Sequence, residues 1–279
     1  MTENERRDDT TMPPGEGWRG RFGRKRRRGI YLLPSLFTTG ALFAGFYAMV
    51  AALQGDFALA AIAILVALIL DGLDGRVARL TNTQSEFGAE YDSLSDMVSF
   101  GVAPALIVYL WSLQHFSDIT LAWGHLGWLV AFVYAACAAL RLARFNTNVG
   151  TTDKRFFQGL ASPSAAMLLA WYVWFSRDLG ITGEDAVIFS LVITLVAGLL
   201  MVSNLPYYSF KDIGSARRVP LFSILAVVGA LVLATLDPPK VIFTGFALYV
   251  LSGPAWWLWR RGRRWQRRPG SPPDDDGVP

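Results

Sequence analysis

Apolar residues gather in eight long runs along the chain, at about 30–53, 57–80, 91–113, 121–146, 159–176, 186–205, 219–236 and 241–259. Each run has 18 residues or more, enough for a helix rising about 1.5 Å per residue to cross about 30 Å of hydrocarbon. The runs are continuous and do not alternate polar with apolar, so they predict membrane-spanning helices and not the strands of an outer-membrane barrel. An even number of crossings puts both termini on one side.

Composition strengthens this reading. Of 279 residues, 53% are hydrophobic and only 17% charged, against about 25% charged in soluble domains. The mean hydropathy is +0.34. The chain therefore reads as an all-α integral membrane protein of about eight transmembrane helices. One cysteine, Cys137, and two histidines, His115 and His125, exclude a disulfide framework, a Cys-based zinc site and His-cluster chemistry.

Net charge +4 conceals a strong asymmetry. Of the 26 Lys and Arg, all but Arg177 and Lys240 fall in the tails or in connections on the same side as the tails. Because cytoplasmic segments carry the basic excess, both termini are expected in the cytoplasm. Three regions follow: a polar, basic N-terminal segment (1–29), a membrane domain (30–259) and a tail that is basic, then acidic (260–279). The terminal basic runs abut the first and last spans, which favours anionic lipid headgroups as their partners over nucleic acid.

Acidic residues at the ends of two spans break the apolar pattern. The second run leads into Asp71-Gly-Leu-Asp74-Gly75-Arg-Val-Ala78-Arg79, and the third opens with Asp92-Ser-Leu-Ser-Asp96 after Gly88. Spacings of i,i+3 and i,i+4 place each pair on one helix face. An antiparallel pair of helices joined by a short loop would bring all four carboxylates together. They stay ionised in a low dielectric only with cations between them. Oxygen ligands without His or Cys select hard ions, Mg²⁺ or Mn²⁺. Gly75, Ala78 and Gly88 remove side chains where a ligand or a neighbouring backbone must come close. The alternative is that the aspartates are helix-end caps facing water, which accounts for one or two of them.

The run from Asp71 through Asp74, Gly75, Ala78, Arg79, Gly88 and Asp92 to Asp96 resembles the signature of the CDP-alcohol phosphotransferases. Four further segments resemble the phosphatidylserine synthase branch of that family: 94–104, Arg141 to Asn146, Gly159 to Ala166, and Ser203 to Tyr207. Leu33-Pro34-Ser35-Leu-Phe-Thr38 resembles the family's entry to span one, with Ser35 in place of the usual Asn. The resemblance implies a transfer of the phosphatidyl group from CDP-diacylglycerol to L-serine at the cytoplasmic end of the bundle. It implies two divalent cations on Asp71, Asp74, Asp92 and Asp96, with Asp96 also the base for the serine hydroxyl. CDP-diacylglycerol would meet Gly75, Ala78, Arg79, Ser85, Gly88, Ser35 and Thr38. A homodimer in the plasma (inner) membrane of a prokaryote is further implied.

A serine carboxylate calls for a guanidinium partner. Arg141 and Arg144, with Asn146 beside them, are the candidates, although the same arginines would also serve as anchors to lipid phosphates. Two other readings stand: a sibling phosphatidyltransferase accepting glycerol phosphate or inositol phosphate, and, from another class, a divalent-cation transporter with intramembrane carboxylates.

Overall fold

A computed structural model describes residues 19–81, 85–119, 125–147, 156–208, 229 and 232–266. Its elements are α1 (Arg19–Leu53), α2 (Phe57–Thr81), α3 (Glu86–Asp96), a wide π turn (Met97–Val102), α4 (Ala103–Trp111), a 3₁₀ turn (Leu113–His115), α5 (Phe116–Ile119), α6 (Leu126–Thr147), β1 (Phe156–Gln158), α7 (Ser162–Asp178), α8 (Val187–Val202), β2 (Pro206–Tyr208) and α9 (Pro238–Gln266). Among the described residues, five helical segments are long and apolar enough to cross a membrane: Ser35–Leu53, Phe57–Thr81, Glu86–Trp111, Leu126–Thr147 and Pro238–Trp259.

Small residues explain why α1 and α2 lie so close. Ala41, Ala44, Ala48, Ala51 and Ala52 recur at helical spacing and are buried, as are Ala60, Ala61, Ile64 and Ala67 opposite. Lipid gives no hydrophobic drive for helix association, so close backbone packing on such stripes supplies the attraction. The large apolar residues Phe43, Phe46 and Leu53 are exposed on the other face, as expected for lipid contact. Asp56 begins α2, its Oδ1 accepting from the Leu59 N–H at 3.0 Å.

Two of the expected spans are shorter than their apolar runs. Helix α7 has 17 residues and α8 has 16, because the flanking residues of both runs are taken up elsewhere. Strands β1 and β2 pair antiparallel, with Phe157 opposite Tyr207. Beside them, Gly159 adopts φ +82° and donates to the Leu205 carbonyl at 2.9 Å, and Leu160 N–H reaches the Leu200 carbonyl. The left-handed φ, together with carbonyls crowding any Cβ at this position, requires glycine. The third span starts at Glu86, five residues before its apolar run. The seventh run, 219–236, lies outside the described residues except for 229 and 232–236, which are helical.

Two of the helical prolines, Pro104 and Pro254, are each met by a tyrosine. Pro104 near the start of α4 has no N–H for the Phe100 carbonyl four residues earlier. The hydroxyl of Tyr134, a fully buried α6 residue, donates to that carbonyl at 3.1 Å. Pro254 inside α9 likewise leaves the Val250 carbonyl without its donor. Tyr207 donates to it at 3.0 Å, its ring lying flush against Gly253. Burial pushes the Tyr207 phenol up to about 12, so it remains a donor at physiological pH.

Candidate active site

Helices α2 and α3 bring Asp71, Asp74 and Asp92 together, with one oxygen of each within 4.8 Å of the others. Asp96, one turn beyond Asp92, has its carboxyl beside that of Asp71. Asp71, Asp74 and Asp92 lie inside α2 and α3, and Asp96 lies where α3 runs on into the wide turn, so none of the four caps a free helix end. Asp74 is the most enclosed, 5% exposed, and accepts from the Thr38 hydroxyl of α1 at 2.9 Å.

The third span is stitched to α1 by two buried hydroxyls. Ser95 donates to the Thr38 carbonyl and Ser99 to the Ala41 carbonyl, both at 3.1 Å. Gly45 permits this approach, since a Cβ there would collide with Ser99. Ser95 and Ser99 were not singled out from the sequence, although their i,i+4 spacing among apolar residues beside the aspartates is a legible sign.

The donor set fits a hard divalent cation. Carboxylate oxygens crowd together, and a buried oxygen of Asp92, Oδ1, has no hydrogen-bond partner. A buried carboxylate oxygen without a donor is costly unless a cation completes it. Oxygens so close can share one ion of Mg²⁺ or Mn²⁺ type.

The expected donor-binding residues divide by environment. Gly75 is half-buried at the cluster, and a Cβ placed on it would meet nothing closer than the Arg79 guanidinium at 4.0 Å, so the protein leaves that space open. Ala78 is half-buried on the next turn. Arg79 is exposed and donates from Nε to the Gly75 carbonyl at 2.9 Å. Ser85 caps α3, accepting from the Gly88 N–H at 3.0 Å. Ser35 is half-buried one turn before Thr38, and its carbonyl accepts from Thr39.

The three polar residues at the end of α6 also part company. Arg141 lies near Asp71 and Asp96 and donates to Ser162 at 2.6 Å. Arg144 reaches the other way, to the Asn204 side chain at 2.6 Å and the Val202 carbonyl at 3.4 Å, capping the end of α8. Asn146 donates to Ser93, next to Asp92, at 3.0 Å. Ser162 and Asn204 belong to the two segments that the β1–β2 pairing brings together.

The sequence profile described as CDP-alcohol phosphatidyltransferase matches residues 31–205, which include every carboxylate and arginine of this site. The chain belongs to that family. It is 37% identical, over 82% of its length and 92% of the relative's, to a protein of Helicobacter pylori (strain ATCC 700392 / 26695) named CDP-diacylglycerol--serine O-phosphatidyltransferase. A protein of Mycobacterium bovis with the same name is 33% identical, covering 87% of this chain and 86% of the relative. Archaetidylserine synthase of Methanothermobacter thermautotrophicus is 29% identical, covering 69% and 76%. His115, by contrast, lies beyond the far end of α4 near Glu184, remote from the carboxylates.

Proposed function

We propose that this protein transfers the phosphatidyl group of CDP-diacylglycerol to the hydroxyl of L-serine, giving phosphatidylserine and CMP. The observation that carries the reading is the carboxylate cluster with its unpartnered Asp92 oxygen, inside the family-matched region. The relatives' names supply serine as the acceptor.

Asp71, Asp74 and Asp92 would hold two Mg²⁺ or Mn²⁺ ions together with Asp96. When bound, such ions neutralise diphosphate charge and stabilise the leaving phosphate. Thr38 fixes Asp74 by its hydrogen bond, and the open space at Gly75 admits the donor headgroup, with Ala78, Arg79, Ser85, Gly88 and Ser35 around it. Asp96 takes the serine hydroxyl proton as that oxygen attacks the phosphorus bearing the diacylglycerol. The phosphorus–oxygen bond to CMP then breaks, and the pair of electrons leaves on the CMP phosphate. A carboxylate is a weak base for an alcohol, so proton transfer accompanies attack.

Arg141 is the group best placed for the serine carboxylate, because it faces Asp96. Arg144 and Asn146 hold the walls around it. The aspartate end is assigned to the cytoplasm on the lysine and arginine distribution, in the inner membrane of a prokaryote. A homodimer is carried over from the family resemblance. A transporter would need acids through the depth of the bundle, whereas the described acids sit at its two ends. CMP release from CDP-diacylglycerol, with and without L-serine, tests the proposal. Release that ignores serine, or that favours glycerol phosphate, would overturn the acceptor assignment.

A further inference from the structure

Asp96 is the last residue of α3, and the helix widens immediately after it. The Ala103 N–H bonds the Val98 carbonyl five residues back, and the wide turn ends at Val102, two residues before Pro104 in the first turn of α4. One residue accommodated in this way changes the facing of everything beyond it by about 100°. The aspartates of α3 can therefore face the site while α4 presents Ala103, Ile107 and Trp111 to the core.

A polar tie joins the turn to α6, the Tyr134 hydroxyl on the Phe100 carbonyl that Pro104 cannot serve. Tyr134 lies seven residues before Arg141, on the same face of α6. One helix thus carries both the tie to the turn and the cation facing Asp96.

We propose that Tyr134 and Pro104 act as a positioning pair: together they hold the wide turn and so set the direction of Asp96 relative to Asp71 and Arg141. The inference rests on reading Asp96 as the group that receives the acceptor's proton. Wild-type CMP release in response to serine reports that reading by itself. Behaviour of the variants relative to one another reports the pair.

The test compares Tyr134→Phe with Tyr207→Phe, the same hydroxyl deletion at the tyrosine–proline contact on α9. Purified full-length protein is used, with Mg²⁺, CDP-diacylglycerol and serine. Tyr134→Phe is expected to lower kcat about tenfold to a hundredfold, as small misplacements of reacting groups do, while leaving KM for CDP-diacylglycerol unchanged. Tyr207→Phe is expected to lower the melting temperature comparably and leave kcat near wild type. Equal kcat losses in the two variants, or an unchanged kcat in Tyr134→Phe, would overturn the proposal. The double variant Tyr134→Phe/Pro104→Ala returns a backbone N–H to the Phe100 carbonyl. Recovery of the melting temperature without recovery of kcat supports positioning. Recovery of both would show that the hydroxyl merely satisfies a carbonyl.

Discussion

The two ends of the helix bundle treat acidic residues in opposite ways. At the far end, each acid whose side chain is described has an ordinary partner. Lys240 lies 2.6 Å from Asp237 and 3.3 Å from Asp178, His115 stands 3.8 Å from Glu184, Asp185 accepts from Thr182, and Asp56 caps α2. At the near end, Asp71, Asp74, Asp92 and Asp96 crowd one another, with Arg141 the cation beside them. Partnered acids close helix ends and consume their own charge. Crowded acids with an orphaned oxygen store negative potential that a bound cation relieves, which is the property of a site and not of a scaffold.

Replacing the crowded acids should break this contrast most visibly. Asp71→Asn, Asp74→Asn and Asp92→Asn are each expected to lower serine-dependent CMP release about a thousandfold or more, since several kcal/mol of charge stabilisation are lost. In EDTA the same variants should melt no lower than wild type, because each relieves repulsion. Variants that melt lower in EDTA while keeping turnover in Mg²⁺ would show the acids to be structural.

Asp96→Asn comes next. Loss of a general base costs about 10²–10⁴-fold, and binding of CDP-diacylglycerol should survive. If added Mg²⁺ or Mn²⁺ restores activity, Asp96 acts chiefly as a ligand.

Arg141→Ala should raise KM for serine about tenfold to a hundredfold, the equivalent of one charge-assisted hydrogen bond, with a smaller change for CDP-diacylglycerol. Arg144→Ala should instead lower the melting temperature, because its partners are at the end of α8. The reverse order of serine KM effects would move the pocket to Arg144.

The smallest effect belongs to the far end. Lys240→Ala should leave kcat unchanged. The Lys240 hydrogen bond holds the Asp237 carboxyl below its usual range, so this contact stabilises the fold at neutral pH and is lost as pH falls through the acidic carboxylate range. The melting-temperature difference between wild type and Lys240→Ala should therefore shrink on acidification.

Much of this contrast was legible in the residues. The carboxylate cluster followed from i,i+3 and i,i+4 spacing at the ends of two apolar runs, and the far-end location of His115 from its place in the chain. What stayed hidden has a common physical cause. Lipid is as apolar as a protein core, so apolar runs show where helices are without showing which face is buried or where regular geometry fails. Pro104 lies inside such a run, and the wide turn before it leaves no periodic trace. The ends of α7 and α8 were concealed in the same way, because Gly159–Leu160 and Ser203–Leu205 read as continuations of span when they serve the β1–β2 connection. Arg141 and Arg144 are three residues apart on one helix end, and only their partners, Ser162 on one side and Asn204 on the other, separate their roles.

The central claim is that the crowded aspartates form a cation-dependent site for transfer to serine. CMP release by the purified protein from CDP-diacylglycerol measures it most directly, with L-serine and Mg²⁺ or Mn²⁺ each supplied or withheld. Release is expected only when both are present, with silence in EDTA and recovery when the metal is returned. Release at the full rate in EDTA, or at a rate indifferent to serine, would contradict it.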